Sequence, residues 1–331
     1  MIRLLNQTLL PAGLMLLTAA PACLAAATPE SLLSAKGVVQ DGRVHVLKVQ
    51  GNVYMLVGAG ANMAVQVGDQ GIVLVNAGDG SRTSEVVAAL RDLSSEPPHY
   101  IIDTSFDPDM TGGNADLKKI GAPVVGGNLG ASNQGAAIVA AENTLNHLSG
   151  QLGEPAVPEA AWPNVTFFEG QKEIYFNNEA IRVMLAPAAH TDGDTMVYFR
   201  GSDVLYTGEV FNTVTYPVIR LADGGTVNGV LDALNHALDI AIPKHEQEGG
   251  TYIIPGHGRL CDEHDLLEYR DMVTIIRDRV EAAIKKGMTL EQVKAAGFTA
   301  EYDPRWGAAS GPWTTGMFVE AVYKSLAEAS Q

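Results

Sequence analysis

The run Tyr100-Ile101-Ile102-Asp103-Thr104-Ser105-Phe106-Asp107-Pro108-Asp109-Met110-Thr111-Gly112-Gly113-Asn114 sets the direction of the reading. Three apolar strand formers lead directly into a loop of carboxylates, hydroxyls and glycines. A short apolar run bounded by turn residues reads as a buried strand. A polar loop at a strand end is where layered α/β proteins place binding and catalytic groups. Three more segments repeat the pattern: Pro187-Ala188-Ala189-His190-Thr191-Asp192-Gly193-Asp194, Leu205-Tyr206-Thr207-Gly208-Glu209 after a strand, and Ile254-Pro255-Gly256-His257-Gly258. Glycines beside His and Asp let the backbone turn sharply and approach a ligand.

Outward from these segments, strands are expected at residues 44–49, 53–57, 62–67, 71–75, 100–102, 123–125, 165–168, 174–176, 181–185, 195–199, 204–206 and 252–254. Helices are expected at 81–91, 114–120 and 131–148, the last carrying a substrate-side insertion, with a loop over 151–163. Val227, Val230, Leu231, Leu234 and Leu238 keep helical spacing, as do Leu266, Tyr269, Val273, Ile276, Val280 and Ile284. Thr289 with Gln292 forms a capping box for the next helix, and residues 318–326 are expected to pack back on the body. Strands alternating with covering helices indicate a layered α/β fold.

Composition narrows the function classes. With 46 % hydrophobic residues in a chain of 331, a sizeable core is available, and no low-complexity tract suggests disorder. Residues 1–27 read as a cleavable export signal: Arg3 is followed by an apolar stretch too short to span a bilayer, then Ala25-Ala26-Ala27. The expected location is periplasmic or secreted, with lipidation at Cys23 less favoured and no integral membrane association after cleavage. The formal charge of −16 argues against nucleic acid as a partner. After cleavage Cys261 alone remains, so no intramolecular disulfide forms, and the thiol is expected to be a packing residue.

The order and flanks of the four segments resemble the metallo-β-lactamase-fold hydrolases, whose first loop reads T-H-x-H-x-D-H-T-G-G-N. Thr104, Asp109, Thr111, Gly112, Gly113 and Asn114 match it; His190 matches the next ligand segment, Thr207-Gly208-Glu209 the family's T-G-D, and His257 the last ligand. The resemblance implies a single αββα sandwich over residues 40–331, with a helical C-terminal extension from about residue 263. It also implies a pair of zinc ions, one held by three histidines and one by an Asp and two histidines. The chain departs from that pattern. Ser105, Asp107 and Met110 stand where three histidines are expected, Glu209 stands for the bridging Asp, and Asn76 for an earlier strand-end Asp.

The donors that remain, Asp109, His190, Glu209 and His257, are sufficient for one divalent ion, with the oxygen-rich set suited to Zn, Mn or Fe. Asp107 or Asp109 would then orient or deprotonate a metal-bound water. Asp192 and Asp194 are expected to orient His190, and His147 to be an ordinary core or surface residue. The expected activity is hydrolysis of a small-molecule ester, lactone, amide or phosphoester, with β-lactams disfavoured. Two alternatives stand beside it. One is a binding module that keeps the pocket without the chemistry, in which His190 and His257 are ordinary hydrogen-bonded histidines and Asp107 and Asp109 are turn residues. The other is an assembly partner that uses the acidic surface or the helical tail.

Overall fold

The computed structural model describes residues 41–124, 135–153 and 155–328. The expected export signal, residues 1–27, lies outside the described residues.

Seven strands form the first sheet in chain order: β1 (His45–Gln50), β2 (Val53–Val57), β3 (Met63–Gly68), β4 (Gly71–Val75), β5 (Pro98–Ile102), β6 (Ala137–Ala141) and β7 (Val165–Phe167). Pairing is antiparallel from β1 to β4 and parallel from β4 to β7. Between these strands lie α1 (Thr83–Leu93), α2 (Pro108–Thr111), α3 (Asn114–Ile120) and α4 (Glu142–Leu148). The second sheet holds β8 (Gln171–Phe176), β9 (Glu179–Leu185), β10 (Thr195–Phe199), β11 (Val204–Asn212) and β12 (Tyr252–His257) in the order β12-β11-β10-β9-β8. Only β11 and β12 pair in parallel there. The helices α5 (Val227–Ile240), α6 (Glu263–Lys285), α7 (Leu290–Ala295), α8 (Asp303–Trp306) and α9 (Thr315–Glu328) follow.

Side-chain alternation stacks these elements into four layers. On β4, Ile72 and Leu74 pack with Val86 and Leu90 of α1 and Leu117 of α3, while Val73 and Val75 face the other sheet's Val183, Val197 and Tyr206. On the outer face of the second sheet, Met184, Met196, Leu205 and Ile253 pack against Val230 and Leu234 of α5, Tyr269 and Val273 of α6, and Phe318 and Val322 of α9. Each such buried aliphatic side chain contributes about 1.5–3 kcal/mol relative to exposure. This is the αββα sandwich expected from the sequence, with its helical extension.

Two local expectations need correction. The expected helix over 131–148 is instead β6 followed by α4, with 131–134 outside the described residues. Ala137 to Ala141 are buried throughout between β5 and β7, so both faces are apolar and the run shows no strand period. The expected strand at 123–125 is not one over Pro123 and Val124; Val125 lies outside the described residues.

The helical tail braces one loop of the domain. Tyr216 donates its backbone N–H to Trp306 O (3.3 Å) and its hydroxyl to Asp303 (2.9 Å), and its ring stacks on Phe318 at 4.6 Å. Tyr269 of α6 donates to Thr215 O at 3.1 Å. The capping box of α7 is the one expected, with Gln292 N donating to the Thr289 hydroxyl and Thr289 N to Gln292 Oε1 (2.8 Å).

Candidate functional site

The strand pairings point β4, β5, β9, β11 and β12 in a common direction within their sheets, and each candidate side chain lies on or just beyond the C-terminal half of one of them. A buried polar ladder ties these strand ends together. Asn76, just past β4, holds φ at +62°, a left-handed conformation that Asn tolerates better than most residues. Its Oδ1 accepts from Thr104 N (2.9 Å), and its Nδ2 donates to Tyr206 OH (2.8 Å) and to the Thr104 hydroxyl (3.0 Å). Tyr206 OH donates onward to Asn62 O (2.6 Å), and Asn62 Nδ2 donates to Pro255 O (2.8 Å) and Gly258 O (3.1 Å). One chain of bonds therefore spans β4, the first loop, β11 and the end of β12.

Local backbone geometry then aims the functional groups. Gly113 packs so tightly on the Ala77 carbonyl that a Cβ there would lie 2.2 Å from its oxygen. Glu209 does not follow a strand as expected: β11 runs on through Asn212. It does so by a bulge, with register shifts on both sides of Gly208 and φ of +55° at that glycine.

The structure sorts the expected donors into two groups. In the first, Asp107 Oδ2 accepts from the Ser105 hydroxyl (2.6 Å) and from His190 Nε2 (2.9 Å), while Oδ1 accepts from Arg220 Nη1 (2.7 Å). Asp107 sits at the N-cap of α2, yet its carboxylate makes no capping bond and is drawn to these partners instead. His190 Nδ1 donates to Val218 O (2.7 Å), and Arg220 N donates to His190 O (2.9 Å), so one segment fixes both side chains. Arg220 Nε also donates to Asp223 (2.6 Å), and its guanidinium lies 4.6 Å over the Phe106 ring. Phe106 stacks on its other neighbour, His147, at 3.8 Å, and His147 pairs with Asp192 at 3.0 Å.

In the second group, His257 Nε2 lies 3.0 Å from Glu209 Oε1 and 3.3 Å from Asp109 Oδ2. Glu209 is buried, and its Oε1 has no aligned hydrogen-bond donor despite the close charge contact. Met110 is fully buried with its sulfur 3.5 Å from the Thr104 hydroxyl, a packed side chain rather than a metal donor. His190 thus joins Asp107, while Asp109, Glu209 and His257 form a separate cluster. Asp192 and Asp194 do not bond the His190 ring as expected. Asp192 holds His147, and Asp194 accepts from the backbone and hydroxyl of Thr191 (2.7 and 2.8 Å).

The electrostatics follow from this pairing. Burial alone would lower the His190 pKa, but the bond to Asp107 and the charges of Asp194 and Glu209 push it up to about 10. His257 is only half-buried; burial opposes its charge too, but Glu209 and Asp109 raise its pKa to about 10. Burial works against ionisation of Asp107, yet the bonds from His190 and Ser105 and the charge of Arg220 hold its carboxyl well below the usual range. At neutral pH both imidazoles are cationic donors, and a carboxylate with three donors is a weak base.

The family's two ions do not fit this arrangement. His190 and Arg220 already bond the two oxygens of Asp107, and among the described residues no group of three or more His, Cys, Asp or Glu side chains is disposed to hold a metal ion. The sequence reading missed Arg220, Phe106, Asn62 and Tyr206 as parts of the site. Arg220 lies 113 positions from Asp107 in a segment without motif flanks. The available hint was chemical: a carboxylate placed where a neutral ligand is expected requires a cation nearby.

Comparisons with known proteins agree with the fold. No curated protein matches the chain. The sec-alkylsulfatase Pisa1 from Pseudomonas sp. superposes with a TM-score of 0.59 at 16 % identity, over 85 % of this chain and 50 % of that one. The present chain therefore spans about half the length of that enzyme. A metallo-beta-lactamase from Pontibacter korlensis gives a TM-score of 0.53 at 16 % identity, over 70 % of this chain and 99 % of that one. The DIM-1 metallo-beta-lactamase gives 0.52 at 17 %, over 70 % and 97 %. At such identities the likeness is one of fold. Residues 49–257, most of the two-sheet body with Asp107, Asp109, His190, Glu209 and His257, match the metallo-beta-lactamase superfamily, and the chain belongs to that superfamily.

Proposed function

We propose that this chain is a member of the hydrolase superfamily that has given up dinuclear metal hydrolysis and keeps its pocket as a binding site for a small molecule. The observation that carries the reading is the engagement of both Asp107 oxygens by Ser105, His190 and Arg220. A carboxylate that accepts three hydrogen bonds is a weak base toward water at neutral pH, and a metal ion would compete with those donors for its oxygens. Residues 1–27 read as an export signal, which supports placing the binding function in a periplasmic or secreted protein.

One observation favours a second reading, a hydrolase with a single divalent ion of Zn, Mn or Fe. Glu209 Oε1 is buried without an aligned donor beside His257 and Asp109. Elemental analysis of protein purified without metal-affinity tags or chelators separates the two. The binding reading expects no metal in wild type or in His257→Ala, even after reconstitution. About one equivalent in wild type that is absent from His257→Ala would overturn it in favour of the single-ion hydrolase.

A further inference from the structure

The guanidinium of Arg220 occupies a particular chemical place. It bonds Asp107 Oδ1 at 2.7 Å on one side and Asp223 Oδ2 at 2.6 Å on the other, and it is held over the Phe106 ring. Asp107 is largely buried, with a side-chain exposure of 16 %. A carboxylate so placed needs a compensating cation, and removing its partner strands a charge in a poor solvent. The pairing is delivered from the backbone, since Arg220 N donates to His190 O and Val218 O accepts from the His190 ring. The guanidinium is therefore part of the same rigid unit as the histidine that the family would give to its first ion.

We propose that the Arg220 guanidinium stands in for the first metal ion of the superfamily: it holds the Asp107–His190 half of the centre together and bars a divalent cation from it. The inference rests on the reading that the dinuclear centre is lost. Arg suits this role because its planar fork bridges two carboxylates and stays charged. Without it, Asp107 would keep His190 and Ser105 on Oδ2 and leave Oδ1 open to an incoming ion.

The test uses the full chain as wild type, Arg220→Ala, Arg220→Gln and Arg220→Lys, each dialysed against Zn²⁺ and then against metal-free buffer. Zinc per chain and the thermal midpoint with and without Zn²⁺ are both read. In wild type and Arg220→Lys, Asp107-dependent zinc is expected to be absent and the midpoint insensitive to Zn²⁺. In Arg220→Ala and Arg220→Gln, the midpoint should fall, recover with Zn²⁺, and accompany about one equivalent of zinc that a further Asp107→Asn change removes. If Arg220→Ala does not fold, the contrast between Arg220→Gln and Arg220→Lys decides, since the two differ chiefly in charge. Equal behaviour of these two, or no zinc uptake in the neutral variants, overturns the inference. Zinc in wild type that Asp107→Asn abolishes would instead overturn the loss of the dinuclear centre itself.

Discussion

Replacing Asn76 by Ala tests whether the polar ladder holds the strand ends together. Three losses are involved. The Oδ1 acceptor for the buried Thr104 N–H disappears, and an orphaned buried donor costs roughly 1–3 kcal/mol. The two Nδ2 bonds to Tyr206 OH and the Thr104 hydroxyl disappear, together worth about 1 kcal/mol net because both hydroxyls keep other partners. The backbone at φ +62° admits Ala only with strain of about 1 kcal/mol. The expected destabilisation is about 3–5 kcal/mol in all, large against the marginal stability of a domain. Asn76→Gly loses the same bonds without the strain, so it should recover about 1 kcal/mol. Denaturant titration followed by both circular dichroism and tryptophan fluorescence measures each variant. A loss below about 1 kcal/mol for Asn76→Ala would refute the ladder as a structural tie. Equal losses for Ala and Gly would refute the strain component alone.

Two further outcomes follow from buried titratable groups. Burial pushes the Asp103 carboxyl up to about 8 against the Asn114 bond that lowers it, and both Asp103 Oδ1 and Asn114 Oδ1 lack donors. A carboxyl whose folded pKa is raised stabilises fully below its unfolded pKa near 4, and that contribution is lost as pH rises toward about 8. Asp103→Asn should therefore match wild type near pH 4 and gain on it steadily up to pH 8; denaturation at several pH values that gave a constant difference would contradict this. Cys261 is buried, and burial pushes its thiol well above the usual range, so a thiol reagent at pH 7.5 should label it only at the rate of unfolding.

Much of the fold could be read from local pattern. Residues 227–240 and 263–285 show helical periods because one face packs on the sheet and the other meets water. The Thr289–Gln292 capping box was legible because it needs only two residues three apart. The strand β6 was not, since a segment buried on both faces carries no alternation to distinguish it from a core helix. At the site, the four motif segments and their order were legible, and with them the neighbourhood of Asp107, Asp109, His190, Glu209 and His257. The partition of those residues was not. It depends on Arg220, whose approach to Asp107 is set by chain packing across more than a hundred residues rather than by any spacing near the motifs.

The bracing of the Tyr216 loop has a consequence for how the parts of this chain can be exchanged. The segment that delivers Arg220 to Asp107 is pinned by Trp306, Asp303 and Phe318, all beyond the stretch that matches the superfamily. The charge at the centre and the helices at the end of the chain are therefore coupled through one loop. A chimera that kept residues 49–257 and took its tail from a relative would carry Asp107, Asp109, His190, Glu209 and His257 intact, yet the loop bearing Arg220 would lose its Tyr216 bonds and ring stack and keep only those to the His190 segment. Swapping tails, with no change among the site residues, would thus alter the charge balance around Asp107.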